Sequence, residues 1–427
     1  MSLREKFIEE LLNFLRRVQG KYAILAKSDL PISTESDIDI LCDDETSKEI
    51  ISYLEKNYTI KKFSVVSYSF MKTIYIVFKD NSFLEIDLIQ RFIRKNLEYL
   101  SSEEILQKGT NIKNGLSILK PEYQLLYILL FYTLNKKPIK AKYMKFFLSL
   151  PESKKTQLLN FIKKHLNINS SSLEDLLKNN ISFRSKIINS LKKKNPIHKR
   201  IKFLISYIKD IKTNLHKSKV ITFNGVDGAG KTTILLNFKE VLEKKYRRNV
   251  ITLRHRPSLL PILSAIKYGK KEAEKRTLQR PPRTGENKSF LSSILRFSYY
   301  YIDYLIGQWI VFAKYRLRGY IILYDRYYFD FIVDSKRSNI NINPNLAKKL
   351  YTFIHKPELN IFLYAPTEII LSRKRELSSK DIETLTNKYL TLFKELNRKR
   401  PEIYVSIENI NKQETLKKIE ELFQEVL

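Results

Sequence analysis

Over roughly the first 95 positions, apolar residues alternate with polar ones in short runs. YAILA, DIDILC, TIYIVF and FLEIDLI are rich in Ile, Val, Tyr and Phe, as half-buried strands are. Helix-like stretches separate them, beginning with the amphipathic MSLREKFIEELLNFLRRVQG, and the alternation predicts an α/β domain over 1–95. From 96 to 215 the period changes. PEYQLLYILLFYTL and IHKRIKFLISYIKDIKTNLHK carry apolar residues at helical spacing, and few strand runs stand out, which predicts a helical subdomain and connector. Within it, the Asn-, Ser- and Lys-rich stretch 160–195 reads as mobile loops, and Lys192 to Lys194 before Asn195-Pro196 as a solvated loop. From 218 onward KVITF, NVITL, YIILY, LNIFLY and EIYVSI alternate with helix patterns and lead into the closing QETLKKIEELFQEVL. Such alternation predicts an α/β domain over 216–427, a parallel sheet with helices on both faces. Sheets of this kind take ligands beyond the carboxyl ends of their strands.

Length and composition add bounds. At 427 residues the chain exceeds what one core usually serves. No uncharged apolar run reaches the roughly 18 residues of a membrane span, and the N-terminus lacks the pattern of a secretory signal. The apolar SYYYIDYLIGQWIVFAKY is interrupted by Asp303 and Lys314, and reads as a buried helix lining an acceptor pocket or a dimer seam. The single cysteine, Cys42, excludes an intramolecular disulfide and any multi-cysteine metal site, and fits a reducing cytoplasm. A net charge of +33 would suit polyphosphates, nucleic acid or an anionic membrane, but the lysines are spread along the chain and accompany an Ile-, Asn-, Tyr- and Phe-rich composition. That dispersion favours a compositional bias over a nucleic-acid surface.

Directly after the strand VITF stands NGVDGAGKTT, in which Gly225, Gly230, Lys231 and Thr232 meet the G-x-x-x-x-G-K-[ST] spacing. Gly225, Gly228 and Gly230 let the backbone turn tightly, so that N–H groups from Gly228, Ala229 and Gly230 through Thr233 can cradle phosphate oxygens at a helix N-terminus. Lys231 would span the outer phosphates of ATP, and Thr232 would offer its hydroxyl to Mg²⁺. Two more candidates end neighbouring strands: Arg254 follows VITL, and Asp325-Arg326 follows YIILY. An arginine fork can hold an acceptor phosphate, and an aspartate near the metal can order its water shell. Arg373, Lys374 and Arg375 close a helix after LNIFLY, either as lid cations over the transferring phosphate or as a basic helix end.

The motifs FNGVDGAGKTT, Asp325-Arg326-Tyr327, PELNIFLYAP and the basic lid segment together resemble the thymidylate kinase family over 216–427. The resemblance implies a P-loop nucleoside-monophosphate-kinase-like fold, ATP with Mg²⁺, and often a homodimer. It also implies Asp227 near the reacting phosphates, and Arg326 and Arg254 near the acceptor phosphate. RHRPSLLP stands where that family usually has an acidic-Pro-Gly segment. With YDRYYFDFIVDSKR it is more similar to thymidylate-kinase-like proteins fused to a nucleotidyltransferase-like domain, which often accompany surface-polysaccharide genes.

In the first domain Asp37 and Asp39 alternate along one strand, so both carboxylates leave on one face while Ile38 and Ile40 enter the core. FLEIDLI offers Glu85 and Asp87 in the same alternation, and neighbouring strands of this kind can converge carboxylates on Mg²⁺. The pattern resembles polymerase-β-like nucleotidyltransferases, with Asp37, Asp39 and Asp87 matching their three carboxylates and Ser28 the serine of their Gly-Ser motif. Lys27 stands in the place of the glycine, which leaves both an active transferase and an inactive nucleotide-sensing domain open. The expected activity is therefore a phosphotransferase acting on a nucleoside monophosphate or a sugar or sugar-phosphate acceptor, with nucleotidyl transfer as a second step. Nucleic-acid end processing and an ATP-driven switch are the alternatives.

Overall fold

The computed structural model describes residues 2–18, 21–25, 37–257 and 289–427, and divides into two compact units, Met1–Thr213 and Asn214–Leu427. Lys27, Ser28 and the SLLP of RHRPSLLP lie outside the described residues.

In the first unit a seven-stranded sheet has the order β3 (Ile60–Ser67), β4 (Met71–Phe78), β5 (Phe83–Ile89), β2 (Ile38–Cys42), β1 (Tyr22–Ile24), β9 (Leu116–Leu119), β8 (Thr110–Lys113), and β6 (Phe92–Arg94) pairs with β7 (Leu97–Leu100) apart from it. The period of two decides which face each residue buries. Ile38, Ile40 and Cys42 join Ile74, Ile76 and Ile86 beneath the helices Leu3–Leu15 and Asp44–Glu55. Ala23, Leu41 and Ile89 turn the other way and meet the helical cluster of Leu125, Leu129, Ile162 and Leu176. Strands β8 and β9 fall inside the stretch read from its pattern as helical. The two-residue connection Asn114-Gly115 has positive φ at both positions (52° and 74°), as tight hairpins require.

The stretch 160–195 is helical, where its composition pointed to loops: Glu152–Leu166, Leu173–Lys178 and Arg184–Lys194 cover most of it. Leu158, Ile162, Leu166, Leu176, Leu177, Ile187 and Leu191 are buried at helical spacing, and Ser172 caps the second helix by accepting from the Asp175 N–H. Lys192 to Lys194 form the exposed last turn of the third helix, where they complement its dipole, in place of the predicted loop.

In the second unit five parallel strands take the order β11 (Val250–Arg254), β12 (Ile321–Asp325), β10 (Val220–Asn224), β13 (Leu359–Tyr364), β14 (Tyr404–Glu408). The central β10 is buried throughout, and its two polar side chains are satisfied inside the sheet. Thr222 donates to Asn360 Oδ1 (2.9 Å), Asn224 donates to Thr222 Oγ1 (2.9 Å), and Asn224 Oδ1 accepts from the Tyr327 N–H (3.0 Å). The chain leaves β10 and returns on either side of it, at β12 and β13, so the crevice beyond its carboxyl end is the ligand position of such a sheet. The helix Phe290–Lys314 is only half buried, a departure from its expected enclosure. Phe297, Asp303, Tyr304, Gly307 and Val311 face inward, while Ile302, Ile306 and Trp309 are exposed. Among the described residues no helix is long and apolar enough to cross a membrane.

Candidate active site

The turn after β10 has the backbone its glycines permit. Gly225, Gly228 and Gly230 have φ of 149°, 88° and 82°, and a Cβ on Gly225 would stand 2.2 Å from the Leu363 carbonyl oxygen. Gly230 is the N-cap of the helix Lys231–Lys244. Thr232 and Thr233 occupy its first turn, so N–H groups and the positive end of the helix dipole face the loop. Ala229 is buried and its carbonyl accepts from Asn409 Nδ2 (2.8 Å), which ties the loop to the end of β14. Arg373 in turn donates to the Asn409 carbonyl (3.2 Å), so its guanidinium lies against the loop although the residue, like Arg375, is exposed.

Lys231 is buried and donates to the Val226 carbonyl (2.7 Å). Burial lowers its pKa to about 7, Arg326 adds to the fall, and Asp227 and Asp325 oppose it. An ammonium held this way gains a partner when polyphosphate arrives. Thr232 Oγ1 donates to Asp325 Oδ2 (3.2 Å), and this hydroxyl–carboxylate pair at the mouth of the loop is a donor set suited to a hard cation such as Mg²⁺.

Across from the lysine, Arg326 (φ 74°) donates to Asp227 Oδ1 (2.6 Å) and Asp330 Oδ2 (3.1 Å). Arg337 also donates to Asp227 and stands 3.8 Å from Asp330, whose other oxygen accepts from the Tyr389 hydroxyl. Two guanidiniums and two carboxylates thus form a buried box against the loop. Burial opposes the charge on Arg326 and Asp330, yet each is outweighed by its counter-ions: the arginine holds its proton more tightly than usual and the aspartate less. At the end of β11, Arg254 is exposed, with Asp325 as its register partner on β12. His255 follows with φ 64°. Arg256 is buried on Asp303 (2.5 Å) with its guanidinium over the Tyr300 ring (4.9 Å).

A curated relative aligns with the chain at 29% identity over 216 residues, 49% of this chain and 98% of the relative, which is described as Probable thymidylate kinase 1 of Saccharolobus solfataricus. The homology is to thymidylate kinases. It covers about half the chain, an extent close to that of the unit Asn214–Leu427, and it supports a nucleotide kinase. Among solved structures, thymidylate kinase from Ehrlichia chaffeensis aligns at 16% identity with a TM-score of 0.32, covering 48% of this chain and 98% of that one. No family model matches the chain.

The unit Asn214–Leu427 gathers Asp227, Lys231, Thr232, Asp325 and Arg326 at one crevice, with Arg254 at its rim. Sequence reasoning missed Arg337, Asp330, His255, Tyr389 and Asn409. Of these, Asp330 and Arg337 stand within YDRYYFDFIVDSKR and His255 within RHRPSLLP, whereas Tyr389 and Asn409 lie outside every quoted motif.

In the first unit Asp39 and Asp87 are register partners on the parallel strands β2 and β5, and Asp37 immediately precedes β2. Asp87 accepts from Thr73 Oγ1 (2.7 Å). Glu85, one step along β5, is the register partner of Tyr75. Tyr99, Tyr127 and Tyr143 lie within electrostatic reach of Asp39. Burial raises all three phenols above the ordinary range, and the negative charge of Asp39 adds to each. Among the described residues no group of three or more His, Cys, Asp or Glu side chains is placed to hold a metal ion.

Proposed function

We propose that the Asn214–Leu427 half is an ATP- and Mg²⁺-dependent kinase that phosphorylates a nucleoside monophosphate. The observation that carries this reading is the arrangement across the crevice. Lys231 and a glycine-turned helix N-terminus stand on one side, and the paired Arg326 and Arg337 on the other, with Asp227 between them. Polyphosphate on the loop and a phosphate on the arginines would face each other along the line that transfer needs. Bound Mg²⁺ would neutralise charge on the transferring phosphoryl group, and Thr232 and Asp325 are the residues suited to hold it. Arg373, already against the loop, would add a donor to the nucleotide phosphates, and Arg254 one to the acceptor.

For the first unit we propose nucleotide binding at Asp37, Asp39 and Asp87, with nucleotidyl transfer as the activity. Asp39 beside Asp87 on parallel strands is the observation behind it. A sugar or sugar-phosphate acceptor, and service in surface-polysaccharide synthesis, are the context in which both activities would combine.

The test is ATP consumption with Mg²⁺ against nucleoside monophosphates, sugars, sugar phosphates and 5′-hydroxyl oligonucleotides, with Lys231→Ala as control. Turnover on a monophosphate that disappears in Lys231→Ala is the expected result. Unchanged ATP affinity in the variant would refute the loop assignment. Turnover confined to oligonucleotides would replace the small-molecule reading by end processing. Asp37→Asn with Asp39→Asn leaves the kinase rate intact if the two units act separately.

A further inference from the structure

His255 is not used by the reading above, and its surroundings are unusual. It ends β11 with φ 64°, a conformation that costs a non-glycine residue free energy and persists only where its surroundings enforce it. Three contacts enforce it here: its N–H donates to the Asp325 carbonyl (2.8 Å), its carbonyl accepts from the Tyr304 hydroxyl, and the Arg256 N–H folds back to the Arg254 carbonyl (2.7 Å). The ring lies against Phe331 (centroids 5.4 Å apart) and points Nδ1 at Asp330 Oδ2, 3.9 Å away. Among the described residues both ring nitrogens are shielded from water and have no hydrogen-bond partner.

The charges around the ring decide what it can bind. Asp227 and Asp330 are both engaged by Arg326 and Arg337, so the carboxylates of the box are committed. The positive charges of Arg326, Arg337 and Arg256 act on the ring against a second proton, and Nδ1 faces the Asp330 carboxylate. A neutral imidazole whose Nδ1–H faces a carboxylate presents Nε2 as an acceptor. Unlike the arginines, it offers an anionic phosphate no charge.

We propose that His255 is a specificity-determining residue of the acceptor site, its Nε2 accepting a hydrogen bond from a hydroxyl of the acceptor's sugar while Arg326 and Arg337 take the phosphate. This inference rests on the kinase reading. It adds that the enzyme distinguishes acceptors by a hydroxyl beside the phosphate and that one strained residue performs the reading. The enforced backbone fits such a role, because a ring on a relaxed strand end would not hold one direction.

The experiment uses the full chain with His255→Gly, which removes the ring while accepting positive φ, and His255→Asn, which accepts positive φ and retains a carbonyl acceptor. Matched nucleoside monophosphates with and without the 2′- and 3′-hydroxyls serve as acceptors, and a fluorescent ATP analogue reports the loop. The wild type should favour one hydroxyl-bearing acceptor over its deoxy counterpart by about tenfold, the worth of one neutral hydrogen bond. His255→Gly should lose that preference through KM, with kcat and ATP-analogue affinity unchanged, and His255→Asn should regain part of it. An unchanged preference in His255→Gly, or a loss of ATP-analogue binding along with it, overturns the proposal. A wild type that binds the analogue yet phosphorylates no monophosphate overturns the kinase reading itself, and this inference with it.

Discussion

Asp330 has no solvent exposure, is the common counter-ion of Arg326 and Arg337 and accepts from the Tyr389 hydroxyl, so Asp330→Asn tests the charge balance of the box. The amide keeps shape and volume and removes one charge. Two buried guanidiniums then share Asp227 alone, and one excess positive charge sits in a site that is 17% exposed or less at every member. Breaking a buried pair from one side costs about 3–5 kcal/mol, because the abandoned charge is desolvated without compensation. For a unit of this size each kcal/mol lowers Tm by roughly 2–4 °C, so a fall of roughly 6–20 °C is expected in its calorimetric transition. The excess charge also predicts that inorganic phosphate stabilises the variant more than the wild type. Adding Arg337→Met should recover part of the loss by restoring balance, which a double-mutant cycle reads directly. A shift below ~2 °C in the single variant, or a double variant no better than the single, would refute the account of a charge-matched box.

Gly225→Ala should remove ATP-dependent stabilisation and destabilise the unit, since its Cβ would meet the Leu363 carbonyl at 2.2 Å; an intact ATP response in thermal shift would contradict the loop geometry. In the ligand-free protein Lys231, with its pKa lowered to about 7, binds its proton less tightly than the unfolded chain does. Stability of the free protein should therefore rise with pH from about 7 toward the unfolded value, the burial cost being fully present below 7. Polyphosphate restores the proton, so ATP affinity should weaken by up to about tenfold per pH unit above 7 with proton uptake on binding. Calorimetry in buffers of different ionisation enthalpy checks this, and pH-independent affinity with no proton uptake would exclude the buried-lysine mechanism.

The phosphate loop was legible because its chemistry is local: ten consecutive residues carry the turn, the lysine and the hydroxyl. The five strands of the second unit were legible for the same kind of reason, since each is a short apolar run bounded by polar residues. Arg337 and Tyr389 were not, because they reach Asp227 and Asp330 only through tertiary folding across 110 and 59 positions. His255 looked like one of three cations in RHRP, and only its backbone conformation sets it apart. In the first unit β8 and β9 are four residues each, too short for a period to show, and the Asn-Gly between them was their only signal. The helices of 160–195 hid because Lys and Asn dilute a sparse apolar stripe. For Asp37, Asp39 and Asp87 the alternation correctly placed Asp39 beside Asp87. It carried no information about the Thr73 hydroxyl that donates to Asp87.

The polar ladder through the middle of the second sheet works as an indexing pin. Asn360, Thr222, Asn224 and the Tyr327 N–H interlock across three strands that apolar contacts alone would let slide, since Ile, Val, Leu and Phe neighbours are nearly interchangeable. Displacing one strand by a residue would strand several buried donors and acceptors at once, at about 1–3 kcal/mol each. With Phe223 held beside Asp325 and Asn224 beside Phe362, the loop from β10 leaves next to the carboxylate and arginine that end β12 and against Leu363 of β13. A side-chain pattern in the sheet interior thus sets the reach of crevice groups that it never touches.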